Sequence, residues 1–466
     1  MTPQFKAGSA KVDTTPPLGT LINGDFLPHY ARWIHDPLYA KALAMQNGDT
    51  TIVFVVVDIM SIKKELVDLI KEELFKIAGL RKQDILISAT HTHAAGSVTD
   101  SLLTPVDFAY RQKLFELIIE AVLKAIEKLA PAKVSYGSVQ APEHVICRRY
   151  FMKDGYKAIN PVTGNADIIK TNPFNGQQFI DKPENDLDPE VSYLAVQTLD
   201  GKWISVLANY SVHYVGDWEN GTISADYFGV FASSLKEKLN ADDDFVGIMS
   251  NGTSGEANTW DFLHPDRYPI AYFAKSELIG NELAEKVMQS LENIQWMSAP
   301  ELSTEYIELD IEIRKPSQVE LDAARELVST TDYRSIKQVD TDNLERIYAR
   351  EQVLLNEFAD VISFPVQALK IGSLIIGGLG AEIFAETGLS LKRSCNKNKY
   401  FTISLANGNA GYIPPAHEFT KGGYETWRCR TSHLEINAED KIRRALKNLV
   451  EALATKTQRL EVTQRP

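Results

Sequence analysis

Between residues 52 and 88 the chain runs β-branched, amphipathic, then β-branched again, and this order restricts the fold more than any other feature. The stretch "TIVFVVVDIM" reads as a strand over 52–57, residues 63–78 carry apolar side chains at helical spacing, and 84–88 read as a second buried strand. That alternation implies an α/β fold, with a layered mixed sheet or sheets flanked by helices in a single elaborated domain. Further along, helical patterns occupy 105–129, 227–239, 271–291, 319–328, 343–357 and 438–453. Strand patterns occupy 134–139, 245–249 and 401–405. Strands 193–198 and 203–208 flank Asp200-Gly201, a strong hairpin signal. Residues 368–378 read as two strands turning at Gly372-Ser373, followed by a helix from Glu382. Residues 153–189 are rich in Asn, Asp, Pro and Gly and show little periodicity, as expected of a functional cover or a disordered segment.

The second of those first two strands runs into "ILISATHTHAAGS", which places His91 and His93 just past a strand's carboxyl end, where open α/β sheets hold their ligands. His213 follows the hairpin's second strand, Glu382 sits at the expected start of a helix, and Tyr412 lies in a Gly-flanked turn. These nitrogen and oxygen donors suit Zn2+, which binds imidazole and carboxylate and keeps one position open in catalytic sites. Spacing alone leaves a second possibility, that they are hydrogen-bonded core and loop side chains.

Composition removes other functions. A formal net charge of -13 over 466 residues opposes general binding to nucleic acid or anionic lipid. Three scattered cysteines, Cys147, Cys395 and Cys429, form neither a disulfide framework nor a CxxC metal knuckle. No apolar run approaches the roughly 20 residues of an integral membrane segment. No leader precedes the first strand pattern, so the sequence as given is expected to be cytoplasmic, or secreted or periplasmic if a leader has been removed. No Gly-x-Ser-x-Gly nucleophile elbow occurs.

Seven segments, in order, carry a resemblance: "AGSAKVDTTPPLG", "ISATHTH", "LANYSVHYV", "ISADYFG", "SNGTSGEAN", "GLGAEIF" and "NAGYIPPAHEFTKGGYE". Through them the chain resembles the catalytic domain of the neutral, non-lysosomal ceramidase family, zinc amidohydrolases that cleave the N-acyl bond of ceramide. The resemblance implies a zinc hydrolase domain over 1–455; within it the composition and position of 150–190 point to an active-site cover, and 456–466 read as a polar tail. It implies His91, His213, Glu382 and Tyr412 as metal ligands, His93 as the acid/base histidine, and Arg148 and Tyr424 as further catalytic groups. Arg149 competes with Arg148 for its assignment, and Glu386, one helical turn on, competes with Glu382. Asp226 and Glu256 are expected to support the ligands.

Two departures bear on the substrate. The carboxyl-terminal β-sandwich of longer members is expected to be missing, and the family's Ser-Gly-Pro-Gly-Gly run after the HTH core is replaced by "AAGSVTD", while its Gly-Asp becomes Ala225-Asp226. The expected partner is therefore a small-molecule N-acyl amide, either a sphingolipid or a smaller polar amide, acyl or glycosyl conjugate. A non-catalytic binding module on this scaffold is the third alternative, disfavoured because a buried Glu and two His without metal leave costly unpaired groups.

Overall fold

Period-two alternation in the strand Thr50–Val57 organises the core. Val53, Val55 and Val57 point to one side and Ile52, Phe54 and Val56 to the other, and all six are fully buried. A strand buried on both faces needs a layer on each side, which is why its sequence is a continuous apolar run. Truncating Phe54 to alanine at this centre would cost about 3–5 kcal/mol.

The computed structural model describes residues 4–395 and 399–463. Its main sheet has eight strands in the order Val246–Asn251, Trp203–Tyr210, Glu190–Thr198, Ala130–Gln140, Lys6–Asp13, Tyr39–Asn47, Thr50–Val57 and Ile85–Ala89. Pairing is antiparallel through the middle and parallel at both ends, where Ile85–Ala89 joins Thr50–Val57 and Val246–Asn251 joins Trp203–Tyr210. Each parallel join needs a crossover, supplied by helix α1 (Lys64–Ala78) and helix α3 (Asp226–Lys238). Helix α2 (Phe108–Glu127) lies with α1 on the outer face of one half. Helix α4 (Ala274–Leu291) lies with α3 on the outer face of the other.

Inner-face side chains from both halves, Phe54 and Leu86 from one and Leu207 and Ile248 from the other, share a core with a second sheet. That sheet runs Leu302–Glu312, Val361–Ile371, Leu374–Leu379, Lys399–Ile403 and contributes Leu369, Ile376 and Phe401. Its far face is covered by helix α7 (Ala385–Ser394) and helix α8 (Ala438–Thr463). The order is thus helices, sheet, sheet, helices, an α/β layered fold as expected. Helices α5 (Gln318–Ser329) and α6 (Thr341–Asn356) pack on each other at one side, the first opened by a Ser317/Glu320 capping box.

Three expectations change. Glu382 does not begin a helix: Glu382–Ile383 is a two-residue strand paired in parallel with Tyr412–Ile413, and α7 starts at Ala385, because the chain must first complete this non-local bridge. The last helix continues from Ala438 to Thr463, while 464–466 lie outside the described residues. The segment expected to be irregular, 153–189, instead supplies Ile169–Thr171 and Ile180–Pro183, which flank Arg149–Met152 in a three-stranded sheet, and an Ala158–Ile159/Ala166–Asp167 ribbon. Among the described residues no helix is long and apolar enough to cross a membrane. The three cysteines are free, Cys147 and Cys429 being buried.

Candidate metal centre

The sheet ends bring the donors together. After Ile85–Ala89, Thr90 N–H donates to Val57 O (2.9 Å) and His91 N–H to Ile59 O (3.0 Å), and His91 adopts a left-handed φ of 79° that turns the chain off the sheet. Such a conformation in a non-glycine residue is strained and needs surrounding support. Asn251, at the end of the strand from the other half, supplies it through Nδ2 to Thr90 O at 3.2 Å. His213 lies three residues past Trp203–Tyr210. Glu382 and Tyr412 are direct register partners in their short parallel bridge, so their side chains leave side by side. Gly411 makes that register possible: its φ is 76°, and a Cβ there would collide with the backbone carbonyl of Thr431.

Glu382 Oε2 lies 3.1 Å from His213 Nε2 and 3.3 Å from His91 Nε2, and His213 Nε2 lies 3.4 Å from Tyr412 Oη. Four donors each 2.0–2.2 Å from a common tetrahedral ion would sit about 3.3–3.6 Å apart. The three observed distances, 3.1–3.4 Å, lie within or just below that range. His91 Nδ1 is engaged by Met60 O at 2.8 Å, which leaves Nε2 with its lone pair toward the cluster, the usual arrangement of a ligating histidine. His213 Nδ1 has no hydrogen-bond partner among the described residues, so its ring lacks that second support there. All four residues are buried. Burial alone would raise the Glu382 carboxyl, yet His91 and His213 outweigh it and hold it well below the usual carboxylate range. Burial, then the Arg148 charge, lowers His213 to about 4, and burial pushes Tyr412 well above its ordinary value.

His93 stands beside this group. Its Nε2 is 3.4 Å from His91 Nε2, but the trio whose donor atoms lie within 4.8 Å of one another is His91, His213 and Glu382. Its ring stacks on Tyr214 (centroids 3.7 Å, 16° between planes) and is hydrogen-bonded to the Gly24 backbone. Burial, then the neighbouring His91, holds His93 well below its ordinary value.

The two arginines separate cleanly. Arg148 lies 5.1 Å from the Tyr412 ring centre, with Nε on Glu425 Oε1 (2.8 Å) and Nη2 on Gly255 O (2.7 Å). Arg149 points the other way into Glu184 (2.5 Å), Glu418 (2.8 Å) and Glu425 (2.7 Å). Tyr424 meets the Tyr412 ring edge-on at 5.5 Å. Glu386 is exposed and faces His417 at 3.3 Å, away from the trio. Asp226 Oδ2 accepts from Val215 N (2.8 Å) and Gly216 N (3.3 Å), fixing the turn after His213, and both Glu256 oxygens accept from Ala385 N at 2.9 Å beside Glu382.

Sequence reasoning missed Tyr214 and Glu425. Each is the immediate neighbour of a recognised residue, His213 and Tyr424, but its role depends on contacts with distant segments: Tyr214 with His93, and Glu425 with Arg148, Arg149 and Thr171.

Residues 5–260 match the family model described as neutral/alkaline non-lysosomal ceramidase, N-terminal. A solved structure described as a ceramidase complexed with C2 is similar over 97% of this chain and 76% of its own, with a TM-score of 0.72 and 16% identity. The neutral ceramidase of Pseudomonas aeruginosa is similar over 98% and 75%, with a TM-score of 0.69 and 15% identity. At those identities the likeness to the two structures establishes the fold.

Proposed function

The chain belongs to the neutral/alkaline non-lysosomal ceramidase family, and from that premise we propose that it is a zinc-dependent amidohydrolase cleaving an N-acyl amide of the ceramide type. The observation that carries this reading is the convergence of His91, His213, Glu382 and Tyr412 at 3.1–3.4 Å. Two imidazoles, a carboxylate and a phenol suit zinc better than magnesium or calcium, which take oxygen ligands in larger shells. A bound zinc ion supplies a lowered pKa for water and polarisation of the scissile carbonyl.

The protein's own groups do the rest. His93, held between Tyr214 and Gly24 with Nε2 toward His91, takes a proton from the attacking water and delivers it to the amide nitrogen as the C–N bond breaks. The water oxygen ends in the carboxylic acid, and the nitrogen leaves as a free amine. Such proton transfer contributes about 10²- to 10⁴-fold. Arg148 and Tyr424, both packed against the Tyr412 ring, serve as donors to charge developing on the carbonyl oxygen. Residues 150–190 act as a cover: Arg149, Thr171 and Asp167 tie them to the 418–427 segment that carries Tyr424.

The test is to incubate zinc-loaded protein with N-acylated sphingoid bases and quantify free amine. His93→Ala is expected to keep its zinc and lose about 10²-fold or more in turnover. Absence of amide cleavage by the wild type, or undiminished turnover by the variant, contradicts the proposal.

A further inference from the structure

A cavity of about 240 Å³ opens directly onto His93. Four larger ones, of about 510, 570, 500 and 270 Å³, are lined by none of His91, His93, His213, Glu382 and Tyr412. The small cavity sits below the roughly 300–1,000 Å³ of pockets that take drug-sized ligands. Its inner wall is the His93–Tyr214 stack, and Trp218 and Trp260 flank Tyr214 at 6.1 and 6.4 Å. Trp260 is braced from outside by Phe174 of the 150–190 segment, at 5.1 Å, and its indole N–H is fixed on Val215 O at 3.2 Å. The rim carries the pair Asp25 Oδ2···His29 Nε2 at 2.8 Å. Asn23 holds that rim in place by taking Gly24 N–H on Oδ1 (2.7 Å) and donating Nδ2 to Thr99 O (2.5 Å). Gly24 is required, because a Cβ there would collide with the His93 imidazole.

This is an aromatic slot with a polar mouth. Each buried methylene of an alkyl chain gains about 0.8 kcal/mol, but a chain filling this space would also strip water from Asp25 and His29 and give them nothing in return. A hydroxyl-rich group satisfies both demands, with its C–H face on the indoles and its hydroxyls on the Asp25 carboxylate and the His29 ring. We infer that the Asp25/His29/Trp218/Trp260 pocket is a subsite for a compact polyhydroxylated group, so that the centre, besides a ceramide-type amide, also accepts an N-acyl amide that places a sugar-like or short polyol amine beside His93. The inference rests on the amidohydrolase reading for the reaction, but the pocket's selectivity does not need the metal.

That independence sets the experiment. Chelator-dialysed full-length protein is titrated calorimetrically with N-acetylglucosamine and, separately, with N-acetylsphingosine. Wild type is expected to bind the sugar amide saturably, and Asp25→Asn and Trp218→Phe, checked for unchanged melting, are each expected to weaken that binding about tenfold. Failure of the sugar amide to bind, or wild-type affinity in both variants, overturns the subsite. The zinc-loaded protein is then assayed on both amides. Cleavage of the sphingosine amide alone, at a rate indifferent to Asp25→Asn, also overturns the subsite while leaving the amidohydrolase reading standing. Persistent variant-sensitive binding with no cleavage of any amide overturns the amidohydrolase reading and supports the subsite.

Discussion

Replacing Glu425 by glutamine separates the two neighbouring arginines by consequence. Glu425 is fully buried and accepts from Arg148 Nε (2.8 Å), Arg149 Nη1 (2.7 Å) and Thr171 Oγ1 (2.8 Å). Burial alone would raise its carboxyl, but the two guanidinium groups outweigh that and hold it low, so wild-type Glu425 is the charged partner of both. Arg149 keeps Glu184 and Glu418 after the change, whereas Arg148 loses its ion pair and keeps the Gly255 carbonyl. A charge-assisted hydrogen bond is worth about 1.5–3 kcal/mol, and breaking a buried pair costs about 3–5 kcal/mol. The loss therefore falls mainly on Arg148, at about 3 kcal/mol. If all of it reaches the transition state, kcat/KM drops about 10²-fold, since 1.36 kcal/mol is a factor of ten. Glu184→Gln is the matched control, because it perturbs Arg149 and Lys421 but not Arg148. The assay is kcat/KM on one amide, with zinc content and melting temperature measured on the same samples. Equal activity losses in Glu425→Gln and Glu184→Gln would refute the division of labour between the arginines.

Other outcomes follow from the same geometry. Gly411→Ala forces a Cβ into the Thr431 carbonyl and shifts Tyr412 relative to Glu382, so zinc affinity, read by competition with a chelator, should fall about 10- to 100-fold. Tyr214→Ala removes the stacking surface under His93 and is expected to lower turnover with zinc retained; loss of zinc instead would make Tyr214 a support of the ligands. Burial raises Glu256 from 4.5 to about 8, so the folded state binds the extra proton between those values and stability falls as pH rises through that window. Glu256→Gln should flatten this decline in melting temperature, and an unchanged slope would count against it.

Much of the scaffold was legible because its strands are buried on both faces and their apolar runs are uninterrupted. The hairpin at Asp200-Gly201 forms as expected, with Glu190–Thr198 paired to Trp203–Tyr210 and Gly201 at φ 94°. His91 and His213 were placed correctly at strand ends for the same local reason. What failed depended on partners distant in sequence. Glu382–Ile383 becomes a strand through Tyr412–Ile413, about 30 residues on, which no periodicity reveals. The short strands of 150–190 are held by Arg149 and Thr171 reaching Glu418 and Glu425 rather than by any pattern of their own. Arg148 and Arg149 could not be told apart because adjacent residues on an extended segment point to opposite sides, and only the surroundings decide which side is the site.

The most direct measurement is zinc stoichiometry on the dialysed full chain, with X-ray absorption for the coordination shell. One equivalent with nitrogen and oxygen neighbours at about 2.0–2.2 Å is expected, lost in both His91→Ala and His213→Ala and retained in His93→Ala. A wild type that binds no zinc, or ligand variants that keep a full equivalent, would contradict the metal centre on which the account rests.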